Sequence, residues 1–170
     1  MKVDELKRAA AETAAECLEG GMIVGLGTGS TATLAVEAIG RRVALGLRII
    51  GIPTSEATAR LARDLGIPVS TLAEHAQIDV TIDGADEVEL CTLNLIKGHG
   101  GALLREKIVA SASARLVIVV DESKLVDRLA VHDPIPVEVV PFGWQATAKR
   151  LRRLGAEPSL RRAPDAKASS

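Results

Sequence analysis

Four short apolar runs, each ending in glycines or small polar residues and separated by stretches of helical spacing, constrain this chain more than any other feature. Residues 22–26 lead into Gly27-Thr28-Gly29-Ser30-Thr31, 48–52 into Pro53-Thr54-Ser55, 78–82 into Asp83-Gly84-Ala85-Asp86, and 116–120 into Asp121-Glu122-Ser123-Lys124. Apolar runs this short suit strands covered on both faces. Between them, Val3, Leu6, Ala10, Ala14, Cys17 and Leu18 fall at helical spacing ahead of the stop signal Gly20-Gly21. A second helix is predicted over 30–39, ended by Gly40. A third is capped by Ser55 and runs to Leu65, with Gly66 as its C-cap. A fourth covers 102–112, and 67–69 is read as a further short strand. The alternation predicts an α/β fold over residues 1–130: a mostly parallel, Rossmann-like sheet with helices on both faces. Ligands of such sheets bind at the carboxyl ends of the strands, and the polar clusters lie there.

Past residue 130 the pattern changes. The proline-bracketed segment 134–141 reads as an edge strand, and 144–154 as a helix closed by Gly155. Residues 131–162 are expected to form a partial α+β lid or oligomerisation unit, and 163–170 a disordered tail. Aromatic residues make up only 1% of the chain, so the core must be aliphatic and stacking on nucleobases is nearly unavailable. A net charge of -1 gives no global attraction to nucleic acid or to an anionic membrane. The basic residues Lys149, Arg150, Arg152, Arg153, Arg161 and Arg162 are most simply a solvated helix face. Cys17 and Cys91 lack CxxC spacing, which makes a reduced, cytoplasmic setting the default. The charged start lacks an apolar signal core, and no apolar run approaches the ~20 residues of a bilayer span.

Three motifs carry chemistry. The loop 27–31 joins a strand to a helix, where backbone N–H groups and the hydroxyls of Thr28, Ser30 and Thr31 suit an anion. It is not a dinucleotide fingerprint, which would need glycine at Ser30, and it lacks the Gly-Lys-Ser/Thr of an ATP-binding loop. Its bland alternative is a tight turn with Ser30 as an ordinary cap. Asp83 and Asp86 can hold sugar hydroxyls and share a proton; the rival reading is an Asp-Gly turn. The pair could also take a metal, although no histidine or third acid stands at clean ligand spacing. Glu106 lies in Arg105-Glu106-Lys107, a triplet that looks solvated. Yet Leu103, Leu104, Ile108 and Val109 spread around that helix, which predicts its burial. Leu103 and Val109 share the face of Glu106. A carboxylate desolvated there becomes a better base. Lys97 would meet a developing oxyanion, assisted by N–H groups near Gly98 and Gly100. Lys124 is either a phosphate ligand or a surface lysine, and His75 and His132 carry no pattern.

In combination these runs resemble ribose-5-phosphate isomerase of the A type: GTGST at 27–31, DGADE at 83–87, LIKG at 95–98, GGALLREK at 100–107 and PIPVEVVP at 134–141. The resemblance implies substrate contacts at Thr28, Gly29, Ser30 and Thr31, at Asp83, Gly84, Ala85 and Asp86, at Lys97, Gly98, His99 and Gly100, and at Lys124. It places the catalytic base at Glu106, assisted by Asp83, Asp86 and Lys97. It implies cofactor-free interconversion of ribose 5-phosphate and ribulose 5-phosphate through an enediolate, in the pentose phosphate pathway, by a cytoplasmic homodimer. Members of that family run on past the length of this chain, so the unit after residue 130 is expected to be incomplete. A non-catalytic sugar-phosphate-binding module, or a deaminase or CoA-transferase-like activity on the same frame, is the alternative. Two departures stand out. His99 replaces the family's usual glycine, which would strain a backbone at positive φ, and the stretch from Glu87 to Lys97 is one residue longer than usual.

Overall fold

In the computed structural model, which describes residues 3–161, the elements run α1 (Val3–Glu16), β1 (Ile23–Leu26), α2 (Ser30–Ala44), β2 (Ile50–Pro53), α3 (Glu56–Asp64), β3 (Ile78–Asp83), β4 (Glu87–Glu89), β5 (Leu95–Ile96), α4 (Leu103–Ser111), β6 (Ser113–Ile118), β7 (Leu125–Val126) and α5 (Trp144–Arg153). A 3-10 turn, Glu122–Lys124, precedes β7. The main sheet has the order β2-β1-β3-β6 and is parallel throughout. Its core is aliphatic, as the near absence of aromatics requires. On one face Ala11 and Ala15 of α1, Leu18 just beyond it, Val36 and Ile39 of α2 and Ala62 of α3 pack on Val24, Leu26, Val80 and Ile82. On the other, Val109 of α4 packs with Ile52 and Ile78. Helices therefore cover both faces.

Several boundaries differ from expectation. Gly40 does not end α2, which continues to Ala44. A Cβ at Gly40 would sit 2.8 Å from Leu65 Cβ, so the glycine serves close helix packing and not termination. Residues 67–69 contribute one isolated bridge, Gly51 to Val69, instead of a strand. The fourth strand of the main sheet starts earlier than predicted, and it is not buried: Ala114, Arg115 and Leu116 are exposed. Residues 134–140 form no strand; Pro134 and Pro136 have no N–H with which to join a ladder. A small sheet, β5-β4-β7, was not anticipated, because strands of two or three residues leave no periodicity to read.

The chain divides into two compact units, Met1–Val137 and Glu138–Ser170. In the second, α5 begins after Gly143 in the left-handed region (φ 74°). Its Lys149, Arg150, Arg152 and Arg153 are exposed, as a solvated basic face should be. Residues 163–170, read as a disordered tail, lie outside the described residues.

Candidate active site

The register of the main sheet brings its polar loops to one edge. Leu26 pairs with both Pro53 and Ile82, and Asp83 pairs with Ile118. Gly27 N–H then donates to Ile82 C=O at 2.9 Å, holding the glycine loop beside the carboxylate loop. The approach is so close that a Cβ at Gly27 would lie 2.3 Å from Asp83 Oδ1. A cleft opens over this edge, and Thr28, Gly29, Ser30, Thr31, Gly84, Ala85 and Asp86 form part of its wall. Lys97, Gly98, Gly100, Glu106 and Lys124 continue the wall, whereas the predicted Asp83 and His99 do not line it. The sequence reading missed Lys7, which also lines the cleft. It sits on α1, far from every motif, and only its helical face relative to the buried Ala11 and Ala15 could have indicated it.

At the anion-binding end, Gly29 is the N-cap of α2 at φ 118°, and no side chain caps that helix. Ser30 is therefore not the cap, and the first amides of α2 face the cleft without a competing acceptor. Thr28 plays a supporting part: its Oγ1 is 2.7 Å from Thr54 Oγ1 and 3.1 Å from Thr58 Oγ1. Thr54 and Thr58 in turn donate to Leu26 C=O and Gly27 C=O, both at 3.0 Å. This buried hydroxyl network stiffens the loop, and neither threonine stood out in the sequence. Lys7 Nζ lies 3.6 Å from Asp121 Oδ2. Asp121 accepts from Ser123 N–H at 3.0 Å, which shapes the turn carrying Lys124.

At the other end, three charges meet. Lys97 Nζ lies 3.0 Å from Asp83 Oδ2 and 3.4 Å from Glu106 Oε1, and it donates to Gly84 C=O at 2.5 Å. Asp83 and Glu106 are buried, at 1% and 5% exposure. Glu106 reaches this position from the first turns of α4, on the face it shares with buried Val109. The helix as a whole is not buried, contrary to the expectation: Leu104 and Ile108 are exposed. What desolvates Glu106 is its own face. Burial pushes the Glu106 carboxyl above its ordinary value, the Asp83 charge adds to that, and Lys97 opposes it. Asp83 is also raised, again chiefly by burial, against Lys97 and the N–H groups of Gly84 and Thr28. A raised, partly desolvated carboxylate beside a cation is equipped to take and return a proton.

Asp83 does not itself line the cleft; it holds Lys97 from beneath. Asp86 lines the cleft and accepts from His99 N–H at 3.0 Å. The His99 side chain is turned from the cleft wall toward Asp86 and Pro134. Its backbone is not strained, since Gly98 and Gly101 take the positive φ values, 118° and 75°. Glu87, next to Asp86, is buried. It accepts from Ala130 N–H at 2.6 Å and His132 N–H at 3.0 Å. Between β4 and β5, Leu93 adopts φ 58°.

The chain is similar to a set of known isomerases. The family model for ribose 5-phosphate isomerase A (phosphoriboisomerase A) matches residues 50–170. A curated ribose-5-phosphate isomerase A from Gloeobacter violaceus is 64% identical over 161 residues, covering 95% of this chain and 70% of that protein. A solved D-ribose-5-phosphate isomerase in complex with phospho-erythronic acid superposes with a TM-score of 0.92 at 40% identity, over 98% of this chain and 73% of that one. The ribose 5-phosphate isomerase A of Methanocaldococcus jannaschii superposes at 0.86 with 44% identity, over 89% and 68%.

Proposed function

The chain belongs to the ribose 5-phosphate isomerase A family, and on that premise we propose how its own residues carry out the family's reaction. The reaction is the interconversion of D-ribose 5-phosphate and D-ribulose 5-phosphate, an aldose–ketose isomerisation. The observation that carries the residue assignment is the buried Glu106 carboxylate 3.4 Å from Lys97 Nζ on the cleft wall.

The phosphate is held by the open amides at Ser30 and Thr31 with Gly29, on a loop braced by Thr28, with Lys7 and Lys124 supplying positive charge. The sugar then extends toward Gly84, Ala85 and Asp86, and the amides of the 98–100 loop border its other side. Asp86 exchanges protons with the sugar hydroxyls and assists ring opening. Glu106 removes the proton from C2 of the open aldose and returns it to C1. The oxygen that gains charge in the enediolate faces Lys97, whose position is fixed by Asp83 and Gly84 C=O. The C2 proton ends on C1 and the O2 hydroxyl proton passes to O1 by way of Asp86, so the atoms balance and the step needs no oxidant or reductant. The likeness to a relative solved with phospho-erythronic acid supports an acidic four-carbon sugar phosphate as a ligand of this cleft.

Family membership also supports a homodimer, for which the exposed Leu104, Ile108 and Leu116 offer apolar surface. A cytoplasmic setting is supported by the free Cys17 and Cys91 and by a doubly charged substrate that does not cross bilayers unaided. Among the described residues no helix is long and apolar enough to cross a membrane.

The test is formation of ribulose 5-phosphate from ribose 5-phosphate by the purified chain, followed with a coupled ketose assay. Turnover abolished by Glu106→Gln supports the reading. Calorimetric binding of ribose 5-phosphate without turnover would favour a silent binding module.

A further inference from the structure

His99 stands in the glycine-rich run that ends the lysine loop, and its imidazole is only partly exposed. Three of its contacts bear on Asp86 and on the Pro134 segment. Its backbone N–H donates to Asp86 Oδ2 at 3.0 Å. Its Nδ1 faces Asp86 Oδ1 at 3.5 Å. Its Nε2 is 3.2 Å from the carbonyl oxygen of Pro134. The residue therefore holds one carboxylate with both backbone and side chain, and ties it to the segment that follows β7.

Pro134 C=O can only accept, so Nε2 carries the hydrogen of that contact. Asp86 faces the ring from the β4 side, and the Pro134 segment offers a carbonyl. Lys97, two residues back on the same loop, has its Nζ committed to Asp83, Gly84 C=O and Glu106. The ring bridges two segments and so bears on the orientation of Asp86, a residue of the cleft wall. Without the ring Asp86 keeps only the His99 backbone N–H of this pair of contacts.

Resting on the isomerase reading, we infer that His99 is a positioning residue for Asp86, tying it to the Pro134 carbonyl and so setting the affinity for the sugar. Its effect belongs to substrate affinity, because the ring does not reach the Lys97–Glu106 pair.

The experiment compares KM and kcat for ribose 5-phosphate in wild type, His99→Ala and His99→Gln at one fixed pH. His99→Ala should show a KM about two- to fivefold above wild type, with kcat changed less. His99→Gln, whose amide can donate in place of the ring, should recover most of that affinity. Identical KM values in wild type and both variants would overturn the inference. So would a fall in kcat at constant KM, which would place the ring in the chemistry. Should the wild-type chain not turn over, the isomerase reading fails on its own account, and calorimetric Kd values for ribose 5-phosphate replace KM in the same comparison.

Discussion

Glu106 Oε1 lies 3.4 Å from Lys97 Nζ, and the same ammonium is 3.0 Å from Asp83 Oδ2. Two buried carboxylates thus share one cation. Neither is fully compensated, and the carboxyl groups of both are raised. A site that carries excess negative charge in its resting state accepts a proton readily, which is the property a base needs.

Glu106→Gln keeps the shape and removes the base. Turnover should fall by about 10²–10⁴-fold, the usual contribution of a positioned general base. Far-ultraviolet circular dichroism and the melting temperature should stay close to wild type. Comparable kcat in the two proteins would remove Glu106 from the mechanism.

Lys97→Met leaves Asp83 and Glu106 buried without their cation. Breaking a buried pair in this way costs about 3 kcal/mol or more, measurable by denaturant unfolding. A carboxylate whose folded pKa is raised destabilises the protein when ionised. The cost is therefore largest above the folded pKa and shrinks as the pH falls and the two acids are protonated. Loss of a charge facing the enediolate oxygen should also lower kcat by about 10²–10³-fold.

The pH dependence of kcat/KM reports Glu106 directly. The base must be ionised, so activity falls on the acid side, and the midpoint should lie above the ordinary glutamate value of 4.5. In Asp83→Asn that midpoint should move down, because a negative neighbour is gone and Lys97 is left to Glu106. An unmoved midpoint in this variant would show that the limb belongs to another group.

Glu87 titrates in the opposite sense. The N–H groups of residues 130–132 hold its carboxyl below the ordinary value, with that of His132 foremost. A depressed folded pKa contributes stability that is present above the unfolded value and lost as pH falls through the folded one. Thermal melts should accordingly drop below about pH 4.5 in wild type. Glu87→Gln should melt lower than wild type at pH 7, with the gap narrowing in acid.

Gly27→Ala places a methyl group 2.3 Å from Asp83 Oδ1 and 2.6 Å from Asp83 Cα. The second contact is with backbone and has no easy relief. Overpacking of this kind costs about 1–3 kcal/mol, and here the displaced atoms belong to the support of Lys97. Stability and kcat should fall together, as read by denaturant unfolding and the coupled assay.

The frame was legible because its strands are short apolar runs with punctuated ends, and their punctuation is the site. Glu106 was found through Leu103 and Val109, although the fuller argument, that α4 is buried all round, fails at the exposed Leu104 and Ile108. What stayed hidden was set by packing between distant segments. Gly40 looks like a stop until Leu65 is placed against it. Thr54 and Thr58 look like ordinary turn and helix residues until Thr28 lands between them. Lys7 belongs to the cleft only because α1 returns to the sheet edge. The strands β4, β5 and β7 are too short to leave a pattern, and Glu87 reads as a surface acid until the amides of residues 130–132 close on it.

The pairing of Leu26 with Ile82, extended by Gly27 N–H to Ile82 C=O, makes the sheet's hydrogen-bond ladder a vernier for the cleft. One added or deleted residue in β1 or β3 would shift one loop against the other by about 3.3 Å and turn its side chains to the opposite face. Length changes in the loops themselves carry no such penalty. A residue inserted in a loop such as 90–94 should therefore leave the cleft in register, while the spacing inside the two central strands is held by arithmetic.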